Sequence, residues 1–343
     1  MPDPQPSLPL DARSPRLDGA RQRRVVVDPS AGIELDVWDS GPTDGELVVL
    51  CHGFPESSWS WRHQITALAS AGYRVLAPDQ RGYARSTCPT TVEAYGITHL
   101  TNDLVSLLDD VGRDRAVFVG HDWGALVTWD LARLRPERVR AVANVSVPFV
   151  DWPKRPTELF RDAYGDHTFF YMLYFQKVGP AETELGADPR TSMRRILWGG
   201  SGPAYQATPT AHPAQGTGFL DRFDEPPGPL SEVAPWCTDH DLDVYADQFS
   251  ASGFFGPVSW YRNLDANWEL VHAISPETIA MPTTFIGGSR DGVIAGRLDS
   301  LDAVHRRLPG YRGHTLINGP GHWTQQEAPA EVNAALITFL RSL

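Results

Sequence analysis

An aspartate occupies the middle of Gly120-His121-Asp122-Trp123-Gly124, where a turn of the Gly-X-nucleophile-X-Gly type usually carries a serine. The preceding Arg115-Ala116-Val117-Phe118-Val119 is short and largely apolar, and reads as a buried strand. Residues 125–135 read as a helix that Pro136 ends. Glycines on either side of a sharp strand-to-helix turn let the chain bend tightly and leave the middle side chain exposed. A carboxylate held there attacks carbon that can be displaced in an SN2 step, such as an epoxide or alkyl halide carbon. The product of that attack is an alkyl-enzyme ester.

Water must then cleave the ester, so a base is required, and histidine suits the task because its ordinary pKa lies near neutrality. Of the eleven histidines, His322 is the best placed, in Asn318-Gly319-Pro320-Gly321-His322-Trp323. It follows a short apolar strand and precedes the last helix. Asp291, in Ser289-Arg290-Asp291-Gly292, follows the strand before that. It would fix the His322 tautomer and stabilise the protonated ring, although an aspartate before glycine is also common in plain turns. Asp302, deeper in an expected helix, and Asp265, in the insertion described below, are weaker candidates. The segment Cys51-His52-Gly53-Phe54-Pro55-Glu56 ends the third expected strand. Its Phe54 N–H and the N–H of Trp123 are expected to form the oxyanion hole for the tetrahedral intermediate. A helix N-terminus at Trp123 should also favour ionised Asp122. His52 reads as structural.

Holding these groups requires a sheet. Strands are expected at 24–27, 33–39, 47–52, 73–77, 116–120, 139–145, 283–287 and 314–317, with helices near 59–71, 100–111 and 331–340. Such alternation argues for a mostly parallel sheet with helices on both faces. Residues 151–268 differ in character, being aromatic-rich and helical, and are interrupted by residues 199–230, which hold six glycines and six prolines. They are expected to form an inserted helical cap, with 24–150 and 269–343 as the core and 1–23 as a tail.

Bulk properties narrow the field. Thirty basic residues stand against 42 acidic ones, a net charge of −12, and no dense Lys/Arg run is present, which argues against nucleic acid as a partner. Three cysteines without CxxC spacing suggest a reducing compartment. No apolar run approaches a membrane span and the N-terminus lacks a hydrophobic signal core, so a cytoplasmic protein is expected. No metal or cofactor is implied, since HExxH, Cys/His clusters and phosphate-binding glycine loops are missing from the sequence. A homodimer is left open.

The motifs HGFPESSWSWR at 52–62, GYRVLAPDQRGY at 72–83, GHDWG at 120–124 and GHWTQ at 321–325 resemble those of the soluble epoxide hydrolases of the α/β-hydrolase fold. The similarity runs from about residue 33 to the C-terminus. It implies an eight-stranded sheet with a helical cap, no cofactor, a small hydrophobic epoxide as substrate, a vicinal diol as product, and a cis peptide before Pro55. It also implies that the cap tyrosines Tyr171 and Tyr261 hydrogen-bond the epoxide oxygen and protonate it as the ring opens. The chemistry asks for such an acid, because an alkoxide leaves poorly. Tyr174 and Phe175 are expected to line the substrate pocket, with Phe169 and Phe170 either beside them or in the cap core. A haloalkane dehalogenase with the same Asp122, His322 and Asp291 is the alternative. Those enzymes usually place an asparagine where this chain has Phe54, and the fluoroacetate-type relatives place an arginine where it has Trp123. A non-catalytic binding protein of the same fold is a third reading, which the presence of all three polar residues opposes.

Overall fold

In the computed structural model, residues 15–205, 210–274, 279–294, 301, 303 and 307–343 are described. Most of the expected tail and Asp302 lie outside these residues, as does 206–209 of the Gly/Pro-rich stretch. The described strands are β1 (Ala20–Asp28), β2 (Ile33–Ser40), β3 (Leu47–Cys51), β4 (Arg74–Pro78), β5 (Ala116–His121), β6 (Val139–Val145), β7 (Thr283–Gly288) and β8 (Tyr311–Ile317). They form one eight-stranded sheet in the order β1-β2-β4-β3-β5-β6-β7-β8. β2 runs antiparallel to both of its neighbours, and the remaining pairs are parallel.

Every residue of β3 and β5 is buried, as expected for central strands covered on both faces. Alternation then sorts their side chains. Val49, Cys51 and Phe118 point to the face covered by α2 (Ile97–Asp110) and α3 (Trp123–Leu134). Val48, Leu50, Val117 and Val119 point to the face covered by α1 (Arg62–Ser70) and the final helix, Pro329–Arg341. β1 begins earlier than the apolar pattern indicates. Residues 20–23, expected in the tail, pair with residues 37–40 of β2, and Arg23 is tied to Asp39 and Asp110. Backbone pairing and charge recruit a segment that has little hydrophobicity of its own.

Between β6 and β7 the chain inserts α4 (Pro156–Tyr164), α5 (Tyr171–Tyr174), α6 (Pro180–Gly186), α7 (Pro189–Gly199), α8 (Leu230–Val233), α9 (Asp239–Ser252), α10 (Phe255–Arg262) and α11 (Leu264–Ile274). α11 runs through residue 268, so the helix does not break where the change of composition ends. Among the described residues no helix is long and apolar enough to cross a membrane.

Candidate active site

β5 passes to α3 through Asp122, whose backbone adopts φ 50° and ψ −117°, a region that residues with a Cβ seldom occupy. Close packing around the turn holds it there. A Cβ on Gly124 would drive into the carbonyl oxygens of Cys51 and His52, and one on Gly53 would strike the Asp122 side chain. The turn therefore presents the Asp122 carboxylate above the C-terminal ends of β3 and β5, where open parallel sheets place their ligands.

One carboxylate oxygen, Oδ1, accepts the Phe54 N–H at 2.8 Å. The other, Oδ2, lies 3.4 Å from Nε2 of His322. Trp123 is the first residue of α3, so its N–H belongs to the helix terminus, which has no intrahelical acceptor. The peptide between Phe54 and Pro55 is cis. On the far side of the His322 ring, Nδ1 lies 3.1 and 3.2 Å from the two oxygens of Asp291, which is 1% exposed and also accepts the Val293 N–H. Burial opposes charge on His322, but the carboxylates of Asp291 and Asp122 outweigh it and raise the imidazole well above its ordinary value. Burial likewise opposes ionisation of Asp122. The hydrogen bond and charge of His322, with the Phe54 N–H, prevail and hold that carboxyl low.

Aromatic side chains from the insertion close over the carboxylate. Tyr261, buried on α10, packs at ring-centroid distances of 5.0 Å from Trp123 and 5.4 Å from Phe54. Burial and the neighbouring Asp122 carboxylate push its phenol well above 10, so it keeps its proton. Tyr171, the first residue of α5, sets its ring 5.8 Å from that of Tyr261. Fully buried Phe175 packs on Phe54, Tyr171 and Tyr261 at 5.5, 5.7 and 5.0 Å. Tyr174 is engaged elsewhere: its hydroxyl donates to Glu184 at 2.8 Å, and the same carboxylate accepts the N–H groups of Phe219 and Leu220. Its polar end thus braces the Gly/Pro-rich stretch from within the insertion. Asp265 accepts from Thr157 across α4 and α11, a helix-to-helix tie.

A family model for the α/β hydrolase fold matches residues 46–182. Epoxide hydrolase A of Mycobacterium tuberculosis is 46% identical over 327 residues, spanning 95% of this chain and 99% of that protein. The crystal structure of epoxide hydrolase A from Mycobacterium thermoresistibile superposes with a TM-score of 0.86 at 46% identity, over 94% of this chain and 98% of that one. An epoxide hydrolase from an endophytic Streptomyces gives a TM-score of 0.87 at 39% identity, over 94% and 96% of the two chains. The chain belongs to the epoxide hydrolase family. These relatives do not favour the haloalkane dehalogenase alternative.

Three features of this epoxide hydrolase family member escape a reading of its motifs. Behind the nucleophile, His121 Nδ1 lies 2.7 Å from Glu56 and Nε2 lies 2.8 Å from the His322 carbonyl oxygen. A carbonyl only accepts, so Nε2 carries a proton. The Nδ1 contact then needs a second proton, on the ring or on Glu56. The Gln325 and Gln326 amides complete the shell of Glu56. Second, the Arg222 guanidinium lies 4.7 Å from the centre of the Tyr171 ring and over Phe219 and Phe223. Third, Glu327 bridges the insertion and the loop that carries His322.

Proposed function

We propose that this protein opens an epoxide through a covalent ester on Asp122 and hydrolyses that ester to a vicinal diol with His322 as base. The observation that carries the reading is the two-sided setting of the Asp122 carboxylate. One oxygen is held by a backbone N–H and the other lies 3.4 Å from Nε2 of His322, with the Tyr261 ring packed on the flanking Phe54 and Trp123.

The two oxygens divide the work. Oδ1, hydrogen-bonded to Phe54, becomes the carbonyl oxygen of the ester, so Oδ2 forms the bond to carbon. The ring C–O bond breaks as Tyr171 and Tyr261 donate to the departing oxygen, which leaves as a hydroxyl rather than an alkoxide. Alkylation also removes the Asp122 charge. His322 then keeps only Asp291 of the two carboxylates that hold its proton. The ring therefore releases that proton more readily, which restores the phenol that gave its own to the departing oxygen. Neutral His322 takes a proton from water through Nε2 as the water oxygen attacks Cγ of the ester. The negative charge that develops on Oδ1 falls on the Phe54 and Trp123 N–H groups. The tetrahedral intermediate collapses by breaking the Cγ–Oδ2 bond. The imidazolium gives its proton to the departing Oδ2, which leaves as the second hydroxyl of the diol, and the new Asp122 carboxyl passes its proton to His322. Asp291 holds the ring orientation and stabilises the imidazolium as it forms.

The helices between β6 and β7 act in this reading as a cap, residues 151–268, over a core of 24–150 and 269–343. Phe175, packed on Phe54, Tyr171 and Tyr261, and Tyr174 are the residues this reading assigns to an apolar substrate pocket, which suits a small hydrophobic epoxide. The cysteines Cys51, Cys88 and Cys237 are all unpaired, which supports a reducing, cytoplasmic setting.

A single turnover of excess enzyme on trans-stilbene oxide or styrene oxide in oxygen-18 water tests the mechanism. The expected diol is unlabelled, with label recovered afterwards in the peptide that contains Asp122. Labelled diol from the first turnover would mean direct attack by water and would overturn the role given to Asp122. Halide released from a haloalkane, with no diol from any epoxide, would overturn the substrate class.

A further inference from the structure

The backbone of His322 is gripped from two sides. Its carbonyl oxygen accepts from His121 Nε2 and Ser146 Oγ, both at 2.8 Å and both from the sheet core. Its N–H donates at 2.7 Å to the carbonyl of Gly200, which lies in the insertion just after α7. The next side chain, Trp323, donates through Nε1 to the Leu197 carbonyl at 2.8 Å. The insertion therefore holds the base loop through main-chain contacts as well as covering the pocket. Space along this seam is fully used. A Cβ on Gly202 would meet the Gly319 oxygen, and a Cβ on Gly321 would meet the Gly200 oxygen and the Gly202 nitrogen.

One side chain stitches the two segments together. Glu327, in the helix Thr324–Glu327, accepts the Gly202 N–H through Oε2 at 2.8 Å and the Gly321 N–H through Oε1 at 3.0 Å. The first donor belongs to the insertion, and the second immediately precedes the base. A carboxylate can accept at both oxygens, whereas an amide places a donor against one of the two N–H groups. Glu327 bonds the residues on either side of the seam, whereas Tyr171 and Tyr261 stand on α5 and α10.

We propose that Glu327 is a positioning residue for ester hydrolysis, fixing the loop of His322 to residues 200–202 so that Nε2 is aimed at water over Asp122. The proposal rests on the two-step reading above. It predicts an uneven effect on the two half-reactions, because ring opening uses Asp122 and the tyrosines while ester cleavage uses His322.

The test is rapid-quench single turnover of trans-stilbene oxide, with the alkyl-enzyme and the diol followed by mass spectrometry. Burial raises the Glu327 carboxyl to about 7, so the measurement is made well above that pH, where the wild-type side chain is a carboxylate. In Glu327→Gln the hydrolysis rate should fall about tenfold or more, the energy of one or two charge-assisted hydrogen bonds. The alkylation rate should stay within about threefold, so the alkyl-enzyme accumulates. Glu327→Asp keeps the charge on a shorter arm that reaches only one N–H. It should show the same selective slowing to a smaller degree, and it decides the matter if the glutamine variant does not fold. Equal slowing of both steps, or no change in their ratio, would overturn the positioning role. Label in the diol from a first turnover in oxygen-18 water would instead overturn the two-step reading.

Discussion

Asp122 and His322 change charge in sequence, and the direction of each shift sets how the reaction should respond to pH. Asp122 is held below its ordinary range, so it stays ionised across any working pH. Tyr261 is held well above 10 and stays protonated. Ring opening therefore meets no titration of its nucleophile or of this acid. Ester cleavage needs neutral His322, whose proton is stabilised by Asp291 even after the Asp122 charge has gone. Below the pKa of His322 in the ester form, hydrolysis should slow by about tenfold per pH unit while alkylation holds steady. Alkyl-enzyme should then build up as the solution is acidified, and transient kinetics at a series of pH values would show it. A common pH dependence for both steps would contradict the division of labour. The same shifts bear on stability. The raised His322 value contributes stability that is fully present below the unfolded value of about 6.5 and is lost as pH rises through the folded value.

The strand-turn-helix unit of β5, Asp122 and α3 is the element on which the site depends, and its glycines are fixed by contact. Gly124 faces the Cys51 carbonyl so closely that any Cβ must displace β3 or α3. Gly124→Ala should therefore lose several kcal/mol of stability, on the scale of core overpacking or more, and should abolish activity even where the chain still folds. Thermal unfolding and ester trapping would measure the two effects, and a variant with wild-type melting and turnover would refute the tight-turn account. Elements of this kind were the most legible in the sequence. β3 and β5 are short apolar runs bounded by Gly and polar residues, and the nucleophile and base lie in local glycine-rich motifs. β1 was harder, because ladder pairing extends it to Ala20 without apolar side chains to mark it. Tyr171 and Tyr261 could be singled out only by resemblance, since a helix rich in aromatics marks packing and catalysis alike. Contacts remote in sequence were invisible. Glu56 meets Gln326 across 270 positions and Glu327 meets Gly202 across 125, and no local spacing encodes either.

The helical insertion and the sheet core are also joined by a buried ion pair. Arg62 of α1 lies 3.1 Å from Asp241 of α9, with both side chains 7% exposed. Trp59 Nε1 donates to the same carboxylate at 2.8 Å. Asp241 also caps its own helix by accepting from Thr238, so one carboxylate starts α9 and docks it on the core. Burial disfavours the ionised form, but the Arg62 charge and these hydrogen bonds prevail and hold the carboxyl low. Removing it strands a buried guanidinium and an indole donor, although Arg62 keeps acceptors on Gln326, Trp59 and Trp236. Asp241→Ala should then cost about 2–3 kcal/mol, below the loss seen when a buried pair is left with no other partner. Asp241→Asn, which still offers an oxygen to Trp59, should cost less. With the α9 docking weakened, the insertion should open more often. Limited proteolysis of 199–230 should therefore quicken in the alanine variant at temperatures where the core remains folded. Unchanged melting and unchanged cleavage would mean that the Arg62–Asp241 pair contributes orientation but little energy to the docking of the insertion.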